Sequence, residues 1–195
     1  REIAWNEDEI TPATRAYIGP LFPKIFQKLQ HLDHIYTSFL EQKIRKIDLE
    51  IGGETKEQLE QELEENKIGI SDHARWMMRN EKFTTQKNAE QIKLIRLKVR
   101  DLFSDNRNHT TDEIYAQAEK MGLELCPPEV GLKLRLQYQD QPLYEYLYVG
   151  MKQITVADGD PSVFELARDD DGLWLDDRWA KPTREWYPEG SVVFR

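Results

Sequence analysis

Thr55-Lys56-Glu57-Gln58-Leu59, running on to Ile68-Gly69-Ile70, aligns without a gap on Thr110-Thr111-Asp112-Glu113-Ile114, running on to Leu123-Glu124-Leu125. In each copy a threonine stands three residues ahead of a glutamine or glutamate, the spacing at which the two side chains satisfy each other's free backbone amides at a helix start. The pattern predicts two helices. Leu59 and Leu63 give the first only a thin apolar stripe beneath Glu57, Glu60, Glu62, Glu64 and Glu65, as expected of a peripheral helix. Ile114, Tyr115, Ala118 and Met121 give the second a fuller face, and Gly122 follows where a helix end favours a left-handed residue.

Each helix is preceded by an alternating stretch. Ile47, Leu49 and Ile51 alternate with Asp48 and Glu50, and Ile95, Leu97 and Val99 alternate with Arg96, Lys98 and Arg100, which predicts a strand ahead of each helix. A strand-helix unit is therefore used twice, though a short Gly52-Gly53 link in the first copy answers to the long Val99 to Thr110 stretch in the second.

Working outward, Thr11-Pro12 and Pro23 each suit the opening of a short helix, the second with Leu21, Phe22, Ile25, Phe26 and Leu29 on one stripe. Ser71 caps a helix over 72–79 that buries Ala74, Met77 and Met78. Pro127-Pro128 reads as a barrier to helix. Beyond it the period becomes two: Leu132, Leu134, Leu136 and Tyr138 alternate with Lys133, Arg135 and Gln137, and Tyr144, Tyr146 and Tyr148 oppose Leu147, Val149 and Met151. Further strands are expected at Val163 to Ala167, Leu173 to Leu175 and Ser191 to Phe194, with acidic turns between them. The expected fold is α+β: two strand-helix repeat units with an N-terminal helical layer and a C-terminal antiparallel β meander. Residues 1–109 form the mixed region with the first repeat and 110–195 the helix plus antiparallel region, with no Gly-, Ser- or Pro-rich linker dividing them.

The composition is that of a soluble globular chain, 39% hydrophobic and 10% aromatic over 195 residues. No apolar run approaches the roughly 20 residues a membrane helix needs, so no membrane partner is expected. Arg1-Glu2-Ile3-Ala4-Trp5 lacks the character of a signal peptide. The single cysteine, Cys126, excludes disulfide scaffolds and thiolate zinc sites, and the expected setting is cytoplasmic. The net charge of −9 is unevenly spread: −6 over 1–74, +5 over 75–109 and −8 over 110–195. Any polyanion belongs in the middle segment.

Four constellations are candidates for chemistry. Arg96, Lys98 and Arg100 share a strand face and, if Lys133 and Arg135 lie in the same sheet, five cations line a surface suited to phosphates; cross-strand pairing with carboxylates is the plainer account. The helix at 111–121 lacks a following recognition helix, because Cys126-Pro127-Pro128 intervenes, and Glu119, Glu124 and Glu129 oppose groove entry. His31, Asp33 and His34, with His73 beside Asp72, are the nearest thing to a hydrolase or metal site; a catalytic zinc would need a third ligand, for which the spacing singles out neither His73 with Asp72 nor His109, and no metal or other cofactor is expected. Trp174, Trp179, Trp186 and Tyr187, with Tyr144 and Tyr146, form an aromatic and acidic cluster suited to holding a protein or a glycan. The expected function is accordingly non-catalytic binding through that C-terminal surface, with polyanion binding as the alternative and hydrolysis as the second.

Overall fold

The computed structural model describes residues 45–195. The N-terminal helices expected before Arg45, together with His31, Asp33 and His34, lie outside the described residues.

Both threonine caps form. At the start of α1 (Lys56–Glu65) the Thr55 hydroxyl accepts from the Gln58 amide at 3.3 Å and the Gln58 side chain accepts from the Thr55 amide at 2.8 Å. The same pair of bonds joins Thr110 and Glu113 ahead of α4 (Thr111–Lys120), at 3.2 and 2.8 Å. The helices also end alike: the Ile68 amide donates to Leu63 O and the Leu123 amide to Ala118 O, both at 3.0 Å, across a left-handed residue, Lys67 or Gly122. The surrounding strands take different places. β1 (Arg45–Ile51) and β3 (Glu90–Lys98) pair with each other antiparallel, Leu49 opposite Ile92. After α1 the chain forms β2 (Gly69–Ile70), whereas after α4 Glu124 exchanges backbone hydrogen bonds with Arg195.

Ser71 caps α2 (Asp72–Arg79) by accepting from the Ala74 amide at 3.1 Å, and Ala74, Met77 and Met78 are buried. A short turn of helix, α3 (Val99–Leu102), and β4 (His109–Thr110) fill the long link before α4.

The largest departure from the sequence-based expectation is at Leu132 to Tyr138. Residues Glu129–Gln137 form a helix, α5, not the first strand of a meander, so Lys133 and Arg135 are not in the sheet. Pro127 and Pro128 open this helix, the first-turn place where a missing amide costs nothing. The two-residue period misleads because α5 is enclosed on several sides: Glu129, Val130, Gly131, Leu132, Leu134 and Arg135 are all buried, so only the narrow strip of Lys133, Leu136 and Gln137 is left to reveal the helical period.

The C-terminal strands are β5 (Tyr146–Val149), β6 (Ile154–Thr155), β7 (Pro161–Asp169), β8 (Gly172–Trp179), β9 (Glu185–Trp186) and β10 (Ser191–Phe194). Eight strands make one mixed sheet in the order β1-β3-β10-β5-β7-β8-β2, with β6 added to β7. β10 runs parallel to β5 and β2 runs parallel to β8, while the other ladders are antiparallel. The plain antiparallel meander is therefore corrected to a mixed sheet in which the last strand inserts between β3 and β5. Strands from both sides of residue 109 share this sheet. β4 and β9 form a separate two-stranded ladder, His109 opposite Trp186.

Helices lie on both faces. α5 packs on β1, β7 and β8 and against α1. Its approach to β7 demands glycine, since a Cβ on Gly131 would sit 2.7 Å from the Phe164 ring. On the other face α4 meets the sheet through Tyr115, whose ring stands edge-on to Phe194 at 6.2 Å and whose hydroxyl donates to Met151 O at 2.8 Å. The buried Glu129 carboxylate accepts the amides of Gly52 at 3.0 Å and Gln86 at 3.1 Å, tying α5 to the link after β1. Gly52 has φ +79°, and a Cβ there would fall 2.2 Å from Asn88 O.

Candidate functional site

Alternation along β5 leaves one side of the strand buried and the other open. Leu147 and Val149 are fully buried, while Tyr146 is 45% exposed and Tyr148 half-buried. Tyr144, just before the strand, is 58% exposed and holds the left-handed backbone value φ +60°. A non-glycine residue pays about 1–2 kcal/mol there, so the surroundings must impose it. They do so through the buried pair Arg135 and Gln141. The Arg135 guanidinium donates to Tyr138 O, Gln141 Oε1 and Ala167 O, and the Gln141 amide donates to Glu145 O and Leu166 O, both at 2.9 Å. Burial lowers the Arg135 pKa to about 10. Arg168 then holds Gln141 O at 2.6 Å and accepts the Tyr144 amide on its own carbonyl at 2.8 Å, while the Tyr144 hydroxyl donates to Asp170 at 2.6 Å.

The tyrosines so placed form one wall of a cleft of about 510 Å³. Tyr144, Tyr146 and Tyr148 face Trp186 and Tyr187 from the segment around β9, and the end of β3 contributes Arg96 and Lys98. Trp186 is buried and fixed from beneath: its indole N–H donates to Thr111 Oγ1 at 2.8 Å, and Tyr148 meets its ring at 4.8 Å with a 66° angle between the planes. Tyr187 is 74% exposed at the mouth.

The charges in the cleft are largely paired. Arg96 bonds Glu145 at 2.5 Å and the Tyr138 hydroxyl at 3.1 Å. Lys98 bonds Glu189 at 2.6 Å, and Arg100 bonds the same carboxylate from outside the cleft. Arg178 forks onto the buried Glu165 at 2.6 and 3.0 Å, with its guanidinium 5.9 Å from the Tyr146 ring centre and 5.7 Å from that of Tyr148. Burial pushes the Glu165 carboxyl above its ordinary range, and the Arg178 fork pulls it back. Burial, and then the Glu165 charge, raise the Tyr148 phenol. Arg184 holds no carboxylate among the described residues; it lies over Trp186 at 5.2 Å and Trp179 at 5.8 Å.

Of the aromatic candidates, Tyr144, Tyr146, Trp186 and Tyr187 therefore meet in one cleft. Trp174 lies elsewhere, its indole on Asp169 at 2.9 Å and its ring over Gly69. Trp179 stands behind Arg184 and beneath Lys181, 4.4 Å away. The five cations do not share a face: Arg96 and Lys98 line the cleft, Arg100 is on α3, Lys133 bonds Glu54 from α5, and Arg135 is buried. A second helix does follow α4, contrary to the reading of Pro127-Pro128, but it packs on the opposite face of the sheet. His73 is outside the cleft with Nδ1 3.2 Å from Asp177. His109 is buried, stacked on Phe103 at 3.4 Å and bonded to Asp105 at 2.7 Å. Among the described residues no three His, Cys, Asp or Glu side chains converge to hold a metal ion, and no helix is long and apolar enough to cross a membrane.

Sequence reasoning passed over Arg178 and Arg184. The signal for Arg184 was present as Trp179, Arg184 and Trp186, a cation set close in sequence to two indoles. Arg178 carried none, because its partner Glu165 is distant in sequence and meets it only through the β7–β8 ladder.

The chain matches no protein-family model, and no curated protein or solved structure matches it.

Proposed function

We propose that this protein is a non-catalytic binding module and that the cleft between β5 and the β9 segment receives a polypeptide segment of a partner. The observation that carries this reading is the convergence of exposed Tyr144, Tyr146 and Tyr187 on one concave surface floored by Trp186. Tyrosine and tryptophan anchor protein interfaces because they bury large area with few rotors and keep a polar tip. The cleft supplies stacking and hydrogen bonding; apart from the tyrosines, Ser191 is the one hydroxyl side chain among the described residues that line it, and it lies within 3.4 Å of Arg96.

Two features favour a polypeptide over the other candidate ligands. A sugar lies flat on aromatic faces, but Arg178 lies over Tyr146 and Tyr148 and Arg184 over Trp186, which leaves ring edges and the exposed Tyr144 and Tyr187 as contacts better suited to side chains. A nucleic acid needs a run of available cations, yet Arg96, Lys98 and Arg178 are each engaged by a carboxylate, and Glu145, Glu185 and Glu189 line the same cleft.

The test is selection of a random dodecapeptide display library on the immobilised full chain, followed by fluorescence anisotropy of the retained peptides. Tyr146→Ala, a substitution at an exposed side chain, is expected to weaken them by about 2 kcal/mol with the circular dichroism spectrum unchanged. Failure to retain any peptide, or equal binding by Tyr146→Ala, overturns the reading.

A further inference from the structure

Arg184 is the cation of the cleft that lacks a carboxylate among the described residues. Its neighbours Arg96, Lys98 and Arg178 hold Glu145, Glu189 and Glu165 at 2.5 to 2.6 Å. Arg184 instead lies over two indoles, and its Nε is buried with no hydrogen-bond partner. Indole rings take none of a guanidinium's donors as a carboxylate would, so its planar fork remains matched to the two oxygens of a carboxylate. Trp186 cannot rotate away, being held by Thr111 beneath, so the guanidinium is presented on a fixed platform.

The surrounding charge limits what can approach. Glu185 is exposed on the same wall, its carboxylate met among the described residues by the Asn108 side-chain amide at 3.4 Å, and Glu145 and Glu189 stand across the cleft. A ligand with closely spaced negative charges meets these carboxylates wherever it extends past Arg184. A ligand with one isolated negative charge and uncharged flanks avoids them and lays its flanks on Tyr146 and Tyr187.

We propose that the bound segment presents a single acidic side chain to Arg184, flanked by apolar or aromatic residues that pack on Tyr146 and Tyr187. This inference rests on the cleft being a polypeptide-binding site. Arg184 is then the residue that selects for charge, and the tyrosines supply affinity without regard to it.

The experiment uses the peptides retained from the dodecapeptide library on the full chain. The expected result is that each carries an Asp or Glu, that replacing it with Asn or Gln weakens binding at least about tenfold, and that Arg184→Gln causes a similar loss. The neutral peptide on Arg184→Gln shows no further loss, because both changes remove one interaction. The peptide-side substitution leaves the protein untouched, so the result does not depend on Arg184→Gln folding. Peptides that bind the wild type and weaken on Tyr146→Ala but are indifferent to loss of their acid overturn the assignment of Arg184 while leaving the cleft as a polypeptide site. Peptides enriched in runs of several acidic residues, or displaced by inorganic polyphosphate at equal charge, overturn it in favour of a polyanion.

Discussion

The indole N–H of Trp186 donates to Thr111 Oγ1 at 2.8 Å, joining the floor of the cleft to the first residue of α4. Both residues are buried, so neither partner has water to turn to. Thr111→Val leaves the indole donor unsatisfied and is expected to cost about 1–3 kcal/mol in urea unfolding. Trp186→Phe on top of Thr111→Val removes the orphaned donor, so the double variant is expected to lose less than the sum of the two singles; strict additivity would sink the claim that the bond is a unit.

Gly131→Ala tests the packing of α5 on the sheet. The added methyl group meets three atoms of Phe164 at 2.7 to 2.8 Å, a buried ring with little room to retreat. Overpacking of this kind typically costs about 1–3 kcal/mol. Thermal unfolding is expected to show that loss although alanine favours helix, and an unchanged or raised midpoint would contradict the close approach.

Glu113 sets a pH dependence of known sign. Its hydrogen bond from Arg107, and then that from the Thr110 amide, lower its pKa from the ordinary 4.5 to about 2. Arg107 and His109 stand beside it, so the carboxylate is the favoured form in the folded chain. A depressed carboxyl contributes stability above its unfolded value and loses it as the pH falls toward the folded one. Glu113→Gln keeps the cap but not the charge. Its thermal midpoint is expected to lie below the wild type at pH 7, with the gap closing between about pH 4.5 and pH 2.

Tyr144→Gly separates strain from binding. Glycine accepts φ +60° freely, and the exposed tyrosine gives up only surface contacts and the bond to Asp170. Stability is expected to stay within about 1 kcal/mol of the wild type, while peptides retained by the cleft weaken. A large loss of stability would show that the tyrosine ring, not the loop beneath it, holds the turn.

What was legible in the sequence was what is local. Thr55 with Gln58, Thr110 with Glu113, and Ser71 ahead of Ala74 declare helix starts because each cap closes within three residues. The alternation of Tyr144, Tyr146 and Tyr148 against Leu147 and Val149 showed a strand with two unlike sides, but which side met a helix depended on α5, itself misread as a strand. Leu132, Leu134 and Leu136 look like a strand because a helix wrapped by its own domain needs no polar stripe. Arg135 reads as a surface cation for the same reason; its three acceptors, at 138, 141 and 167, become neighbours only when the loop after α5 folds back on β7. The aromatic half of the cleft could be read from composition. Its charged half could not, since Arg96 meets Glu145 only once β10 has inserted between β3 and β5, and Arg178 meets Glu165 diagonally across the β7–β8 ladder, in a register that the folded hairpin fixes.

The place of β10 has a consequence for how the molecule comes into being. Among the described residues, Ser191–Phe194 is the only strand that joins β3 on one side to β5 on the other, so the sheet remains two unconnected halves until this segment has docked. Strands more than 90 positions apart must wait for this closure, a topology of high contact order and slow assembly. Deleting Ser191 to Arg195 should not trim an edge but withdraw the keystone, leaving α4 without Phe194 to pack on and the chain to be judged by chaperones and proteases in that state.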